Sequence, residues 1–194
     1  MAPLDDAALD TLFRKARTFH RWSDRPVEDA TLRAVWELAR MGPTSANCSP
    51  IRIVFVRSAA AKERLRPLVS QGNVASVMSA PVTAILAHDL DFYERLPVLF
   101  NAEAVGWFKG KASAEPTAFR NGSLQAAYLM LAARALGLDC GPMSGFDNAA
   151  VDAAFLGHQP RWRSNFICNI GYGEEPDMPA RNPRLAFEEA CAVV

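Results

Sequence analysis

Residues 117–136, TAFRNGSLQAAYLMLAARAL, form the longest regular pattern in the chain. Apolar residues occur on almost every side of this predicted helix, which ends before Gly137. A helix that is apolar on every face needs packing partners on every face. In a chain of 194 residues, this requirement places the helix either at the centre of the fold or at a dimer interface. A chain of this length fits one domain, which we assign to residues 1–194.

Shorter helices and strands are predicted around this helix. Helices are predicted at residues 5–17, 29–41, 58–69 and 148–155, and strands at 51–56, 82–87 and 166–170. Several connections are too short for parallel crossovers. We therefore expect an α/β (α+β) fold of three layers, with a mixed, mostly antiparallel sheet and helices on both faces. Residues 88–116 show no periodicity, and their aromatic residues, which include Tyr93, Phe100, Trp107 and Phe108, favour a packed lid.

Charge and composition narrow the function classes. Lysine plus arginine and aspartate plus glutamate each total 21. A neutral balance argues against nucleic acid or a membrane surface as the partner. We find no signal peptide and no run of apolar residues that could span a bilayer, so we expect a soluble, cytoplasmic protein. The four cysteines form no CxxC pair and are expected to be small apolar residues in a reducing compartment.

Several catalytic and metal motifs are missing from the sequence. There is no GxGxxG, GxSxG or Cys/His pattern, and residues 106–112 are one residue short of a P-loop. His88, Asp89 and Asp91 lie close together, but no other ligand has metal-binding spacing. We therefore predict no metal site and interpret these residues as a strand end with solvated acids.

Two loops have unusual backbone requirements. Residues 42–50, GPTSANCSP, combine two prolines with three hydroxyl residues and an asparagine. Residues 140–147, CGPMSGFD, place two glycines where a planar ligand could approach the main chain. Each loop could equally be a tight turn bonded to itself. Composition alone leaves both interpretations open.

The order and spacing of four motifs resemble the FMN-dependent nitroreductase family over nearly the whole chain. The motifs are RTFHRW (17–22), PTSAN (43–47), GLDxxPxxGF (137–146) and NIGYG (169–173). The resemblance implies an intertwined homodimer with FMN bound at the subunit interface. It also implies NADPH or NADH as co-substrate and ping-pong hydride transfer through flavin N5, with no catalytic side chain.

The resemblance also implies roles for individual residues. Arg17 and Thr18 would approach the flavin phosphate and ribityl chain, and Arg181 would bind the phosphate. The ring would be lined by Pro142, Ser144 and Gly145, with the Ser144 backbone N–H at N5, and by Asn73. The other subunit would contribute Pro43, Thr44, Ser45 and Asn47. The sequence departs from the family pattern at Ala16 and His20, which replace arginines and leave the phosphate to Arg17 and Arg181, with Arg184 as a further candidate.

Runs such as KERLRP (62–67) and FYERLP (92–97) resemble one branch of the family. This branch reduces malonic semialdehyde to 3-hydroxypropionate in pyrimidine (uracil) degradation. A substrate carboxylate could then pair with Arg95, Lys109, Lys111 or Arg120. The alternatives are a broad-specificity nitroreductase or quinone reductase, and a non-catalytic flavin-binding protein.

Overall fold

The computed structural model describes residues 2–174, 176 and 178–194, and its centre is a four-stranded sheet. The strands are β1 (Ile51–Val56), β2 (Val82–Asp89), β3 (Asp139–Met143) and β4 (Trp162–Gly171). Their spatial order is β1-β2-β4-β3, and each neighbouring pair is antiparallel. β2 and β4 are therefore central, whereas β1 and β3 form the two edges. The parallel component of the predicted mixed sheet is one bridge, between Thr18 and Cys140.

Helices of very different lengths surround the sheet. They are α1 (Asp6–Leu9), α2 (Asp29–Ala39), α3 (Ala59–Leu65), α4 (Gln71–Ser79), α5 (Leu96–Leu99), α6 (Val105–Phe108), α7 (Ala114–Ala135), α8 (Asn148–Val151) and α9 (Phe187–Ala190). π-Helical segments extend α1 (Asp10–Arg14) and α8 (Asp152–Leu156), and 3₁₀ turns occur at Ser45–Asn47, Arg66–Leu68 and Phe92–Arg95. In the described part of the chain, no helix is long and apolar enough to cross a membrane.

The side chains of β2 alternate between two apolar cores. Ala84 and Leu86 pack with α2 and α7 on one face, where Val35 and Leu129 are fully buried. Ile85 points to the opposite face, as the two-residue period of a strand requires. There it packs with residues of α3, α4 and α8, namely Leu65, Val77 and Val151. The sheet thus lies between two helical layers, which confirms the predicted fold class.

Three elements were not predicted, and one region was predicted wrongly. β3 falls in residues interpreted as a loop, α4 falls in residues left unassigned, and α9 falls in a tail for which no regular element was predicted. Residues 88–116 are not irregular, because they contain the end of β2, α5, α6 and the beginning of α7. Part of this segment is packed, since Phe92 and Leu96 are fully buried in a third core cluster. Of the aromatic residues on which the packing was predicted, Phe100 and Trp107 are 51% and 54% exposed.

The long helix α7 is not buried on every side within one chain. Its inner face contains Ala118, Ala126 and Leu129, which are fully buried. On its outer face, the exposed fractions are 51% for Phe119 and 47% for Leu124. Of the two positions predicted for this helix, the inner face occupies the centre of the fold, and the outer face remains available to a partner.

Candidate functional site

The segment after α1 lies along the outer edge of β3. Thr18 forms a parallel bridge with Cys140, and the Phe19 N–H donates to the Cys140 carbonyl at 3.2 Å. The next strand residue must be glycine, because a Cβ on Gly141 would lie 2.4 Å from the Phe19 carbonyl oxygen and 2.9 Å from the Trp22 ring. The absence of a side chain at Gly141 therefore brings Thr18 and β3 together.

The other end of β3 meets the beginning of α4. The Gly145 carbonyl accepts hydrogen bonds from the Asn73 side-chain amide at 3.0 Å and from the Ser70 N–H at 2.9 Å. A Cβ on Gly145 would lie 2.7 Å from that amide nitrogen. Pro142 is half-buried within β3, and Ser144 is exposed immediately after it. Thus Asn73, Pro142, Ser144 and Gly145 share one edge of the sheet.

A basic cavity of about 490 Å³ adjoins Thr18. Arg17 and Arg181 line it and also hold the C-terminal segment in place. Arg17 donates to the Pro179 carbonyl at 2.6 Å, and Arg181 donates to the carbonyls of Arg14 (2.8 Å) and Ala16 (2.7 Å). Each guanidinium has five N–H donors, more than these bonds use, so both arginines can also bind an anion.

Three further basic residues line the same cavity: His20, Arg134 and Arg184. His20 and Arg184 were considered from the sequence, whereas Arg134 was seen only as an interruption of an apolar helix. Four arginines around one small cavity supply the positive charge and the N–H donors that a phosphate group requires. The structure thus joins Arg17, Thr18 and Arg181 to the β3 edge, and it adds Arg134 to them.

The loop at residues 42–50 lies at the opposite edge of the sheet, before β1, and hydrogen bonds hold it in place. The Ser45 N–H donates to the Asn121 side-chain oxygen at 2.8 Å, and the Asn47 amide donates to the Leu99 carbonyl at 2.8 Å. Ala46 and Asn47 both have a φ of 49°, in the left-handed region that non-glycine residues rarely adopt. Such backbone strain is concentrated at functional sites. Pro43, Ser45 and Asn47 are nevertheless exposed, and Thr44 is half-buried.

Within one chain, this loop does not meet the other predicted site residues. β1 and β3 are separated by β2 and β4, which corresponds to roughly 14 Å across three strand spacings. Pro43, Thr44, Ser45 and Asn47 therefore form one group, and the residues at the β3 edge form another. A ligand that contacts both groups within one chain would have to span this distance.

The described residues were also searched for a reactive cysteine and for a metal site. Burial raises the pKa of the Cys48 thiol to about 11, so this cysteine of the loop is protonated at neutral pH. The acids near His88 are paired and not solvated as predicted, since Asp89 lies 2.7 Å from Arg52 and Asp91 lies 3.0 Å from Arg161. No cluster of three or more metal-ligating side chains occurs in the described ranges.

The four basic residues considered for a substrate carboxylate lie in different places. Arg95 lines a cavity of about 700 Å³ together with Asn47 and Arg52. Arg120 borders an apolar groove on the outer face of α7. Lys109 and Lys111 are exposed between α6 and α7 and line neither cavity. Of the four, only Arg95 shares a cavity with a predicted flavin-site residue.

Comparisons with known proteins agree with this architecture. The model of the nitroreductase family matches residues 14–172. A nitroreductase family protein from Streptococcus pneumoniae TIGR4 is 25% identical, with a TM-score of 0.81 over 93% of this chain and 97% of that one. A protein from Exiguobacterium sibiricum, assigned as a nitroreductase and solved with FMN, is 20% identical, with a TM-score of 0.83 over 99% and 98%. A protein from Staphylococcus epidermidis, assigned as an NAD(P)H:FMN oxidoreductase, is 19% identical, with a TM-score of 0.84 over 100% and 98%.

Proposed function

Because the chain belongs to the nitroreductase family, we propose that it is an FMN-dependent oxidoreductase that uses NADPH or NADH to reduce a small acceptor. The observation that carries this proposal is that the cavity with four arginines lies next to the edge of β3. Thr18 joins the two, because it lines the cavity and pairs with Cys140 of β3. This edge offers cations at one end and exposed backbone at the other. A phosphate joined to a flat ring system needs that combination.

The cavity is the proposed phosphate end of the flavin site. Arg17 and Arg181 would bind the phosphate oxygens, with Arg134 supplying charge that the family pattern usually places at positions 16 and 20. The Thr18 hydroxyl is exposed beside them and is a further donor. These residues can bind and orient the phosphate because bonds to backbone carbonyls already hold both guanidiniums.

The turn after β3 is the proposed ring end. When bound, FMN supplies two-electron hydride transfer at N5 between a reduced nicotinamide and the acceptor. The Ser144 N–H would donate a hydrogen bond to N5, and Pro142 and Gly145 would line the ring. Asn73 would orient this turn through its bond to the Gly145 carbonyl. Fixed donors of this kind stabilise charge that develops during the reaction at little cost of reorganisation.

A homodimer would complete the site. The exposed outer face of α7 includes Phe119, Leu124 and Tyr128, which a second copy would cover. The loop with Pro43, Thr44, Ser45 and Asn47 lies at the edge opposite β3. We infer that this loop contacts the flavin of the partner subunit. The separation of the two groups within one chain supports this arrangement.

Mixing two defective variants tests the shared site. Arg181→Glu damages the β3 edge, and Ser45→Trp blocks the loop. In a random mixture half of the dimers are mixed, and each mixed dimer has one undamaged site, so about a quarter of wild-type activity should return. A mixture that stays as inactive as its components would contradict a site built from two chains.

Malonic semialdehyde is the proposed acceptor, on the basis of the branch resemblance. Hydride would add to the aldehyde carbon and a proton to its oxygen, which yields 3-hydroxypropionate and oxidised nicotinamide. Arg95 would bind the substrate carboxylate, since it is exposed in the cavity that also contains Asn47. Its charge would distinguish this acceptor from neutral quinones and nitroarenes.

Steady-state kinetics with three acceptors tests this assignment. The kcat/KM for malonic semialdehyde should exceed that for a nitroarene and for a quinone. Arg95→Gln should raise KM for the semialdehyde about tenfold or more, which corresponds to loss of a charged hydrogen bond, and leave quinone reduction unchanged. A higher kcat/KM for the nitroarene or quinone would favour a broad-specificity reductase. Flavin that binds but is not reduced by NADPH or NADH would indicate a non-catalytic protein.

A further inference from the structure

Lys62 is a buried lysine that forms no ion pair with any carboxylate among the residues that the structure describes. It lies on α3, and only 4% of its surface is exposed. Its Nζ donates to the Val77 carbonyl at 2.7 Å and to the Thr83 hydroxyl at 2.7 Å. A charged group buried without a counter-ion is strongly destabilising, and an apolar residue usually serves packing better. We therefore expect Lys62 to have a role other than packing.

The two acceptors suit an uncharged amine. A neutral –NH₂ group has two N–H donors, and the site offers Val77 and Thr83 as acceptors. Burial lowers the pKa of Lys62 from the ordinary value of 10.5 to about 7. Both protonation states are therefore accessible near neutral pH.

Charged groups on the surrounding elements lie away from this amine. α4 contains no ionisable residue. On α3, Glu63 and Arg64 are exposed. On β2, His88 lies five residues from Thr83, roughly 16 Å along the strand. On β4, Cys168 adjoins Asn169, but its contact with Cys140 and its burial raise the pKa of this thiol, so it is uncharged at neutral pH. Arg57 follows Val56, which pairs with Thr83 on β1, and its side chain is bound to Asp29 and to the Val27 carbonyl. Desolvation thus dominates the protonation of Lys62.

A chain of buried polar contacts leads from Lys62 across the sheet. The Thr83 hydroxyl donates to the Asn169 side-chain oxygen at 2.6 Å, and the Asn169 amide donates to the Ser76 hydroxyl at 3.0 Å. The Trp22 indole N–H donates to the same hydroxyl at 3.3 Å. All five side chains are buried. Such a chain couples its members, because each bond orients the next.

The chain reaches both parts of the β3 edge. Asn73, Ser76 and Val77 are spaced i, i+3, i+4 and so lie on one face of α4. Asn73 bonds the Gly145 carbonyl, while Ser76 and Val77 receive the polar chain that begins at Lys62. Trp22 packs directly against Gly141 and follows the segment that contains Arg17 and Thr18. Lys62 is thus linked to the helix that supports the proposed ring end and to the strand that supports the phosphate end.

We propose that Lys62 is a positioning residue for the flavin site: acting through Thr83, Asn169 and Ser76, its uncharged amine holds α4 and Trp22 where they support the turn after β3. This inference rests on the proposed function. Protonation of the amine would add an uncompensated charge beneath α4 and loosen that support. FMN affinity should then fall as the pH falls through the pKa of Lys62.

FMN titrations of the flavin-free protein test this idea, with flavin fluorescence as the readout at about pH 6, 7 and 8. If FMN binds only the form with a neutral Lys62, the wild-type Kd should rise up to about tenfold between pH 8 and pH 6. Lys62→Met should lose this component of the pH dependence. Arg66→Met removes an exposed positive charge just after the same helix and should follow the wild type. Ionisation of the FMN phosphate near pH 6 affects all three proteins alike, so the ratios of their Kd values isolate Lys62.

A second variant keeps the test valid if Lys62→Met does not fold. Thr83→Val retains the lysine but removes the hydroxyl that links it to Asn169, and it should bind FMN more weakly with a reduced pH dependence. Parallel pH profiles for the wild type and for the folded variants would overturn the inference while leaving the flavin site intact. Absence of FMN binding by the wild type at every pH would overturn the proposed function and this inference with it.

Discussion

Replacing Lys62 by methionine should make the protein more stable at neutral pH. Burial lowers the pKa of Lys62 to about 7 in the folded protein, against 10.5 for an ordinary lysine. Between these pH values, the folded chain holds the amine neutral while the unfolded chain binds a proton. The wild-type free energy of unfolding should therefore rise with pH across this range, by up to about 1.4 kcal/mol per pH unit.

The size of the effect follows from the same pKa difference. At neutral pH, burying this lysine lowers the free energy of unfolding by on the order of 4–5 kcal/mol, which is close to the largest value that this pKa difference allows. Methionine cannot bind a proton, so Lys62→Met lacks this slope. Relative to wild type, the variant should gain about 3 kcal/mol between pH 9.5 and pH 7. The Val77 carbonyl loses a donor in the variant, but this penalty of about 1 kcal/mol is the same at every pH.

Urea unfolding followed by circular dichroism, at several values between pH 7 and pH 9.5, measures these slopes. Lys15→Met is the matched control, because Lys15 is 79% exposed in its side chain, and it should follow the wild type. If the curves for the wild type and Lys62→Met run parallel, Lys62 is charged in the folded protein across this pH range, which would contradict a lowered pKa.

Four further results are expected. Arg181→Ala should weaken FMN binding by about 1.5–3 kcal/mol, the usual contribution of a charged hydrogen bond; an unchanged Kd in a fluorescence titration would exclude the phosphate role. Leu124→Glu puts a charge on the outer face of α7 and should therefore convert a dimer to a monomer. Size-exclusion chromatography with light scattering measures this change, and a variant that stays dimeric would place the interface elsewhere. Gly141→Ala should lower Tm and FMN affinity together, since its Cβ would lie 2.4 Å from the Phe19 carbonyl; a wild-type Tm would contradict that contact. Burial lowers the pKa of His88, so the free energy of unfolding of the wild type should fall as the pH drops below about 6.5. The free energy of unfolding of His88→Leu should fall less steeply. Equal slopes in acid would show that His88 binds a proton in the folded protein as readily as in the unfolded chain.

The elements that were predicted well from the sequence are those with a strong apolar pattern. β1 was predicted at its observed bounds, and α7 was predicted to within a few residues, because their hydrophobic runs suit one structure strongly. β3 was missed because it contains Gly141 and Pro142, which usually argue against a strand. An edge strand tolerates both, and Gly141 is needed there for the approach of Phe19.

Other features depend on tertiary contacts that no local pattern encodes. α4 has a sequence rich in serine, glycine and asparagine, and contacts of Ser76 and Val77 stabilise it. Arg134 resembles a break in an apolar helix until the C-terminal segment folds beside it and closes the basic cavity. The polar chain from Lys62 joins residues up to 147 positions apart, from Trp22 to Asn169. Only the folded chain brings such residues together.

More of the candidate site residues were predicted from the family motifs than from residue patterns alone. Arg17, Thr18, Asn73, Gly145 and Arg181 were assigned from motif order, and they all lie on or beside the β3 edge. Their contacts with flavin stay predictions. The same holds for the loop at residues 43–47, whose assignment to a partner subunit depends on a dimer.

Titration of the flavin-free protein with FMN, followed by anaerobic addition of NADPH or NADH, tests the central claim most directly. We expect saturable binding of one FMN per chain, with quenched flavin fluorescence, and loss of the visible flavin absorbance when the nicotinamide is added. Arg181→Ala should reach the same stoichiometry only at higher FMN concentration. Failure of the wild-type protein to bind FMN, or binding that Arg181→Ala leaves unaltered, would contradict a flavin site at the β3 edge.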